Sequence, residues 1–327
     1  MIRAAIDVSP LVQTRAGTAR YLNGLLRELR HRGDVEISTR SFGRDGRAST
    51  LVRDGVWYPF VLGRERDADV LHCPSYRGPL KSSRPLVVTV HDLAVLRHPE
   101  TFSRWTRTYS PRTVPRVLAA ARRVIAVSEF TRRELVDLLD VPEEKIRVVP
   151  NAVEDEFTRE GPVAAGEYVL AVGTLEPRKN LPRLVEAARR ADVELRVVGA
   201  RGWGGVEVGG NGVRWLGEVS DSELARLYRG AACVAYPSLY EGFGIPVLEA
   251  MACGAPVVTT RGTAMEEVAD GAAVLVDAHD PSDIAAGIER AAAERDQLVA
   301  RGLERARAFR WGAVGEATVG VYREAVA

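Results

Sequence analysis

The chain has 327 residues, 46% of them hydrophobic, and a formal net charge of +1. This length and apolar content are enough for two cores of ordinary domain size, so we expect two domains. The cysteines Cys73, Cys233 and Cys253 form no CxxC pair, which argues against a disulfide framework or a cysteine metal site and fits a reducing cytoplasm. No apolar run approaches the roughly 20 residues that cross a bilayer, so we expect a protein that is neither exported nor membrane-spanning.

Short apolar runs alternate with helical patterns along the whole chain. The predicted strands, in chain order, are 4–8, 70–72, 86–89, 124–127, 146–149, 168–173, 194–198, 213–215, 233–236, 256–259 and 273–275. The clearest helical patterns between them are 19–32, 131–139, 181–190, 221–229 and 281–295. Continuous strands of Val, Ile, Leu and Ala separated by helices indicate parallel sheets that are covered on both faces.

The two series of strands are separated near residues 150–167, where prolines, glycines and an acidic cluster occur together. Such a composition is typical of a linker. We therefore predict two doubly wound α/β domains, over residues 1–150 and 151–310. The first holds 26 Lys and Arg against 17 Asp and Glu, and the rest of the chain is acidic. This asymmetry indicates that the domains have different partners.

Much of the basic excess lies in residues 97–123, RHPETFSRWTRTYSPRTVPRVLAAARR, where Trp105 and Tyr109 stand among arginines. The simpler interpretation is a solvated helical face. The alternative is a surface that docks on an anionic membrane or a lipid phosphate. The sequence leaves both open.

Open parallel sheets bind ligands at the carboxyl ends of their strands, so with two such domains we expect the site in the cleft between them. Neither GxGxxG nor GxxxxGK[ST] occurs, and the first strand-to-helix turn has one glycine, Gly17. A lone glycine at a turn ordinarily supplies a positive φ. The functional interpretation is that Gly17 lets the backbone approach a phosphate at the start of the helix.

The first strand of the second domain runs into AVGTLEPRKNLPRLVEA, where Gly173 and Thr174 follow the strand and Asn180 can cap the next helix. Arg178 and Lys179 stand between them, and lysine is scarce in this arginine-rich chain. An adjacent guanidinium and ammonium suit a diphosphate. A solvated ion-pairing dipeptide is the equally good alternative.

The stretch YEGFGIPVLEAMACGAPVV contains two carboxylates, Glu241 and Glu249, on either side of a helix start. Proline at the first helical position and glycine after the last predict a helix over about 246–252. The helix dipole favours anions there, and carboxylates accept hydrogen bonds from sugar hydroxyls. Both glutamates could instead only stabilise the helix start. The amides expected to face a ligand are those of Phe243, Gly244 and Ile245.

These motifs, in this order, resemble the family-4 retaining glycosyltransferases and their E-x7-E signature. The resemblance extends through the glycine turn at Gly17, HDLAVLRHPE, VSEFTRREL, VVPNAV, VGTLEPRKNL, GARGW and LGEVSDSELARLYRGA. It implies the GT-B architecture, in which two doubly wound Rossmann-like domains face each other across a cleft. It also implies that a C-terminal helix, about 311–327, packs back on the first domain.

Site residues follow from the same resemblance. Glu249 would bind the ribose, Glu241 the hydroxyls of the transferred sugar, and Arg178 with Lys179 the diphosphate. His91, in the HD after a strand of the first domain, would contact the sugar near the reacting carbon. Catalysis would thus rest on His91, Arg178, Lys179 and Glu241. The remaining donor contacts would come from Gly17, Gly173, Thr174, Val219, Gly242, Phe243, Gly244, Ile245 and Val247.

The resemblance implies a metal-independent hexosyltransferase that uses a nucleoside diphosphate sugar, with a GDP-mannose type as the first candidate because HDLAVLRHPE looks most like mannosyltransferase members. The acceptor would be a glycan, a lipid-linked or a small molecule, recognised by loops near 40–66 and 97–116. We expect no cofactor and no nucleic-acid partner. Two alternatives remain: an epimerase of nucleotide sugars on the same scaffold, and a sugar-nucleotide-binding protein without catalytic activity.

Overall fold

The structure, a computed structural model, divides into two compact units. Unit 1 comprises Met1–Ala152 and Arg310–Ala327, and unit 2 comprises Val153–Phe309. The structure describes residues 1–12, 17–44, 46–202, 204–206 and 209–327, without the side chain of Arg47. Residues 13–16 of the predicted glycine turn and Trp203 of GARGW lie outside this description. Among the described residues, no helix is long and apolar enough to span a membrane.

Each unit contains a six-stranded parallel sheet. In unit 1 the strands are β1 (Ile2–Asp7), β2 (Val35–Arg40), β3 (Val70–Cys73), β4 (Leu86–Val90), β5 (Arg123–Ala126) and β6 (Ile146–Val148). In unit 2 they are β7 (Val169–Val172), β8 (Leu195–Val198), β9 (Val213–Gly217), β10 (Cys233–Tyr236), β11 (Val257–Thr260) and β12 (Val274–Val276). The spatial orders are β2-β1-β3-β4-β5-β6 and β12-β11-β10-β7-β8-β9.

Helices connect the strands in both units. They are α1 (Gly17–Arg30), α2 (Arg47–Val52), α3 (Ala94–Arg97), α4 (Arg104–Ala120), α5 (Glu129–Leu139), α6 (Leu181–Arg190), α7 (Asp221–Gly230), α8 (Ile245–Ala252), α9 (Ala264–Ala269), α10 (Pro281–Ala293), α11 (Arg295–Ala306) and α12 (Trp311–Val326). A π-helical segment, Arg53–Val61, continues α2. The alternation of parallel strands and helices is what the apolar runs predicted.

The edge strand β2 is the one strand of the described residues that the sequence analysis did not predict. It pairs with β1 alone, and only Val35 among its residues is buried. A strand at a sheet edge needs fewer apolar residues than a central one, so VEISTR lacks the continuous apolar run that marks its neighbours.

The direction of chain progression across each sheet reverses once. In unit 1 the reversal lies between β1 and β3, and in unit 2 between β7 and β10. Loops that leave neighbouring strands in opposite directions separate there, and open α/β sheets bind ligands in the resulting crevice beyond the carboxyl ends of the strands. The loops that follow β7 and β10 are therefore the part of unit 2 in which a ligand site is expected.

Helix α12 completes the core of unit 1. Trp311, Val314 and Tyr322 are buried together with apolar side chains of α1 and of the sheet. The close approach of α12 to α1 depends on Gly24, because a Cβ at that position would lie 2.0 Å from Cζ2 of Trp311. The last helix of the chain is thus a structural part of the first unit.

We expect Gly24→Ala to destabilise unit 1 by about 1–3 kcal/mol, because the indole of Trp311 is rigid and packed and an added methyl group must displace it. The matched control is Gly320→Ala in α12, where a Cβ would meet nothing within 4 Å. That change should stabilise the protein by up to about 1 kcal/mol through helix propensity. Thermal unfolding measures both, and equal melting temperatures for the two variants would contradict the close contact.

Candidate functional site

The candidate site of unit 2 lies on the loops that follow β7 and β10. Arg178 and Lys179 belong to a single 3-10 turn, Pro177–Lys179, between β7 and α6. Glu241 lies between β10 and α8. These two loops flank the reversal of strand order. The fold thus brings a pair of cations next to a carboxylate that lies 62 residues after Lys179 in the sequence.

One oxygen of Glu241 accepts most of the interactions at this site. Its Oε1 lies 2.6 Å from Lys179 Nζ and 3.0 Å from Arg178 NH1. The Tyr236 hydroxyl donates to the same oxygen at 3.1 Å, and Lys179 Nζ donates to the Tyr236 hydroxyl at 2.5 Å. Arg178 also pairs with Glu176, at 2.6 Å. Two cations and two carboxylates therefore form one network, which we call the charge cluster.

The charge cluster is largely shielded from solvent, and its charges shift the pKa values of Glu241 and Lys179. Burial alone would raise the pKa of Glu241, but Arg178 and Lys179 outweigh it and lower that pKa to about 2. Burial would lower the pKa of Lys179, and the nearby Glu241 carboxylate raises it above its ordinary value. The pKa of Tyr236 rises to about 12, first because of burial and second because of Glu241. At neutral pH the cluster is an array of fixed charges around a neutral phenol.

Backbone and amide contacts hold the two loops together. Asn180, predicted to cap α6, does not do so: its backbone is left-handed, with φ 60°, and its side chain makes no capping bond. Its Nδ2 instead donates to Pro237 O at 3.1 Å and to Ala278 O at 2.6 Å, after β10 and β12. Arg178 NH1 donates to Tyr240 O at 2.7 Å. The side chain of Asn180 thus fixes the position of the cations relative to Glu241.

Gly173 leaves room for the lysine. Its φ is +147°, and a Cβ there would lie 3.2 Å from Cε and 3.3 Å from Cδ of Lys179. The aliphatic part of the lysine side chain therefore lies along the end of β7. Thr174, the next residue, is half-buried. Glycine is therefore favoured at the end of β7 for two reasons: the Lys179 side chain approaches closely, and the φ is positive.

The start of α8 has backbone amides that form no hydrogen bond within the described part of the protein. Its N-cap, Gly244, has a φ of 102° and provides no side-chain cap. The backbone amides of Phe243 and Gly244 donate to no acceptor among the described residues. The amide of Val247, in contrast, donates to Gly244 O at 3.0 Å within the first turn. Val247 was predicted as a backbone contact of the donor, and its amide is already engaged for this helical reason.

Glu249 lies in the second turn of α8 and is buried. The hydroxyl of Tyr228, on α7, donates to its Oε2 at 3.0 Å. The two glutamates of the E-x7-E stretch are therefore not a pair: Glu241 belongs to the charge cluster and Glu249 faces α7. Both are bound by side chains of the protein itself. Val219, half-buried, precedes Ser220, whose hydroxyl caps α7.

Two of the predicted site residues, Gly17 and His91, lie in unit 1. Gly17 is the first residue of α1. His91 directly follows β4, and its Nε2 lies 3.1 Å from Pro74 O. The edge of its ring contacts Tyr21, with 4.8 Å between ring centroids. Burial lowers the pKa of His91, so its imidazole is neutral at neutral pH.

A buried chain of polar groups near His91 was not found from the sequence. His72 Nδ1 lies 2.7 Å from the Tyr322 hydroxyl, and His72 Nε2 lies 2.8 Å from Thr89 Oγ1. Thr89 Oγ1 is 3.5 Å from the hydroxyl of Tyr21, the ring that contacts His91. Burial lowers the pKa of His72 to about 3. A histidine within the apolar run of β3 was the signal that could have revealed this chain.

Comparison with known proteins identifies the family. A family model described as Glycosyltransferase Family 4 matches residues 15–157, and one described as Glycosyl transferases group 1 matches residues 153–308. An O-antigen chain mannosyltransferase B from Escherichia coli is 30% identical over 97% of this chain and 88% of its own length. The chain belongs to glycosyltransferase family 4. It is therefore a glycosyltransferase.

Other relatives of this glycosyltransferase carry different names. A D-inositol 3-phosphate glycosyltransferase from Acidothermus cellulolyticus is 32% identical over 99% of this chain and 90% of its own length. An MMP alpha-(1->4)-mannosyltransferase from Mycolicibacterium hassiacum is 32% identical, over 82% of this chain and 73% of its own length. Glycosyl transfer is common to these names, and the sugar and acceptor are not.

Solved structures confirm the predicted fold class, doubly wound Rossmann-like domains of the GT-B kind. A sucrose-phosphate synthase from Thermosynechococcus elongatus has a TM-score of 0.77 at 20% identity and covers 99% of this glycosyltransferase and 98% of that chain. The Anabaena protein Alr3699/HepE, solved with UDP and glucose, has a TM-score of 0.72 at 18% identity, over 98% of this chain and 99% of its own.

The buried position of His72 predicts a pH-dependent stability. Between its ordinary pKa of about 6.5 and its folded pKa of about 3, the unfolded glycosyltransferase binds a proton that the folded one does not. The wild type should therefore lose up to about 1.4 kcal/mol of unfolding free energy per pH unit below pH 6.5 through this residue. His72→Gln should be less stable by about 2–3 kcal/mol at pH 7.5, because two buried hydrogen bonds are altered.

The difference in stability between wild type and His72→Gln should shrink by about 2 kcal/mol between pH 6.5 and pH 5, as measured by urea unfolding. Asp7, whose pKa burial raises to about 6, titrates with the opposite effect on stability in part of this range. It is present in both proteins and cancels in the comparison. The exposed His31 provides the control for the substitution itself, since His31→Gln replaces a surface side chain and should leave stability at pH 7.5 unchanged. A constant difference would contradict a buried neutral His72.

Proposed function

We propose that this glycosyltransferase transfers a hexose, with mannose as the first candidate, from a nucleoside diphosphate sugar to a hydroxyl of a glycan, a lipid-linked or a small-molecule acceptor. In this proposal the anomeric configuration is retained and neither a metal nor another cofactor takes part. The observation that carries it is the charge cluster, in which Arg178 and Lys179 converge 2.6–3.0 Å from one carboxylate oxygen beside the start of α8.

The charge cluster can exchange one anion for another. In the free protein the Glu241 carboxylate lies on both cations, which lowers the cost of their burial. A diphosphate would compete with Glu241 for the same cations with more oxygens and more charge. The unengaged amides of Phe243 and Gly244 supply further donors next to the helix start. Glu241 would then be released to accept hydrogen bonds from sugar hydroxyls.

Arg178 and Lys179 are also suited to stabilise the charge that develops during the proposed transfer. As the glycosidic bond to phosphate breaks, negative charge develops on the departing diphosphate, and groups that are already fixed in place stabilise it best. In the proposed reaction the acceptor hydroxyl attacks the face from which the diphosphate leaves, and the departing phosphate takes the proton. No glycosidase-type pair of carboxylates is then needed. His91, neutral and attached to the end of β4, would contact the sugar near the reacting carbon.

The ribose assignment to Glu249 and the sugar assignment to Glu241 are part of the proposal. Glu249 is already bound by Tyr228 at 3.0 Å through one carboxylate oxygen. A carboxylate has about four acceptor sites, so Glu249 can accept from ribose hydroxyls in addition to Tyr228. The mannose-type donor is supported by the mannosyltransferase names of two relatives.

The proposed location is the cytoplasm, with peripheral contact to an anionic membrane through residues 97–123. Helix α4 occupies most of this stretch. Its arginines Arg104, Arg107, Arg112 and Arg116 are exposed. A row of exposed guanidinium groups is attracted to an anionic lipid surface by about 1 kcal/mol per residue near the surface.

Lys179→Met tests the catalytic assignment. We expect turnover to fall about a hundredfold to a thousandfold, because a fixed cation at the departing diphosphate is removed. Arg178 still balances Glu241, so the loss of stability should stay within about 1–3 kcal/mol. The measurements are release of the nucleoside diphosphate and thermal unfolding, after a thermal-shift screen of GDP, UDP, dTDP and ADP sugars has identified the donor.

The matched control is Lys145→Met in unit 1, where Nζ donates to Ala119 O; turnover should be unchanged. If Lys179→Met loses stability and turnover in proportion, Lys179 is structural. Product analysis with the donor alone separates the epimerase alternative, since an epimerase needs no acceptor. Saturable binding without turnover over an acceptor panel would instead favour a non-catalytic sugar-nucleotide-binding protein.

Glu241→Gln tests the anion exchange. The free nucleoside diphosphate should bind this variant about tenfold more tightly, because a charged competitor for Arg178 and Lys179 is gone. The complete nucleotide sugar should gain less, since a contact to the sugar hydroxyls is weakened in the same variant. Calorimetry with both ligands measures the difference. Unchanged affinity for the diphosphate would show that the ligand does not compete with Glu241.

A further inference from the structure

The helical segment formed by α2 and the π-helical residues Arg53–Val61 exposes a group of large apolar side chains. Its outward side chains are apolar and exposed: Leu51, Val52, Val56, Phe60 and Val61. Its inward side chains Arg53, Asp54 and Tyr58 are buried. A surface helix of a water-soluble protein normally turns its apolar stripe toward the core. Here Tyr58 and Pro59 are buried, and a further set of apolar side chains faces solvent.

The size of this exposure is unusual for the molecule. Phe60 is 59% exposed, Val56 50% and Leu51 48%. Ten large hydrophobic side chains are exposed among the described residues, and six of them are these five residues and Trp105. Single exposed apolar residues need no explanation, but a contiguous apolar surface marks an interaction site. The segment falls within residues 40–66, one of the two loop regions that were predicted to recognise the acceptor.

Trp105 connects α4 to this segment. Its Nε1 donates to Asp54 Oδ2 at 3.0 Å, and the Tyr109 hydroxyl donates to Asp54 O at 2.6 Å. The two rings stack with 5.5 Å between centroids, while 40% of Trp105 remains exposed. A tryptophan with its polar atom satisfied by protein and its apolar edge in solvent suits a boundary between water and an apolar phase.

Exposed arginines continue the surface along α4. Arg104, Arg107, Arg112 and Arg116 are exposed, and within the described part of the chain none of them pairs with an acidic side chain. Asp54, the acidic residue of the helical segment, is buried. The combined surface is therefore apolar and basic. We call it the docking face and define it as the five outward residues of the helical segment, Trp105, and these four arginines.

We propose that the docking face inserts its apolar side chains among the headgroups of an anionic lipid bilayer. The arginines select this occupant. A second copy of the chain meeting the same face about a twofold axis would bring arginines against arginines, which is unfavourable. An anionic bilayer supplies the opposite charge for the arginines and an apolar phase for Phe60, Val56 and Trp105.

The docking face extends the contact proposed for residues 97–123 by an apolar component that binds in its own right. Lipid binding needs no glycosyl transfer, so it can hold or fail independently of the proposed reaction. Where the proposed function also holds, a protein held at a bilayer meets acceptors that are themselves in the bilayer. Of the three acceptor classes, the docking face thus favours the lipid-linked one. This preference alone rests on the proposed function.

The test is flotation of the full-length protein with vesicles of phosphatidylcholine alone and of phosphatidylcholine mixed with phosphatidylglycerol. We expect binding to the mixed vesicles only, weakened by salt. Val56→Ser combined with Phe60→Ser should reduce binding about ten- to a hundredfold and leave its salt dependence intact. Arg112→Ser combined with Arg116→Ser should reduce it about 30-fold and weaken that dependence.

Matched controls are Val163→Ser, whose valine is 62% exposed in unit 2, and Arg133→Ser, whose arginine is exposed on α5. Neither should change vesicle binding. All replaced side chains are exposed, so melting temperatures should be unaltered, and nucleotide-sugar binding should persist in every variant. The proposal is overturned if wild type does not float with anionic vesicles. It is equally overturned if Val56→Ser combined with Phe60→Ser leaves vesicle binding unaffected but removes a self-association of the wild type seen by sedimentation.

Discussion

The carboxylate of Glu241 joins the two loops on which the unit 2 site is built. Arg178 and Lys179 come from the loop after β7, and without an anion between them two adjacent cations whose side chains are only 14% and 12% exposed would be costly. Glu241, from the loop after β10, is the anion that lies on both. The reversal of strand order lies between β7 and β10, and open α/β sheets bind ligands at such a point. The ion pairs of Glu241 and the reversal of strand order thus indicate the same location for the candidate site of unit 2.

This arrangement makes the free site nearly neutral. Arg178 and Lys179 are balanced by Glu176 and Glu241, so the site does not rely on a large unpaired charge. A neutral cluster is compatible with a buried position, and it still offers cations to an anion that competes better than a carboxylate. The proposed selectivity for diphosphates over simpler anions would follow from the number of oxygens that can replace one carboxylate oxygen.

Much of this could be predicted from the sequence. Helix α6 was predicted over 181–190 and is Leu181–Arg190, because its amphipathic pattern is strong and proline stands at its start. The loop positions of Arg178, Lys179 and Glu241 followed from strand ends. The pairing of Glu241 with the two cations did not follow, since the distance between two loops depends on the whole sheet. For the same reason the side chain of Asn180 was assigned to a helix cap that it does not form.

The buried chain of His72, Thr89 and Tyr322 has a consequence for synthesis on the ribosome. Unit 2 is a continuous piece of chain, so all its residues are available before α12 has been made. Unit 1 begins first but cannot bury His72 with its partner until Tyr322 emerges. Until then the core of unit 1 has an open face where α12 will lie. The first unit to begin synthesis is therefore the last that can be completed, and its exposed apolar surface is what cellular chaperones would meet in the interval.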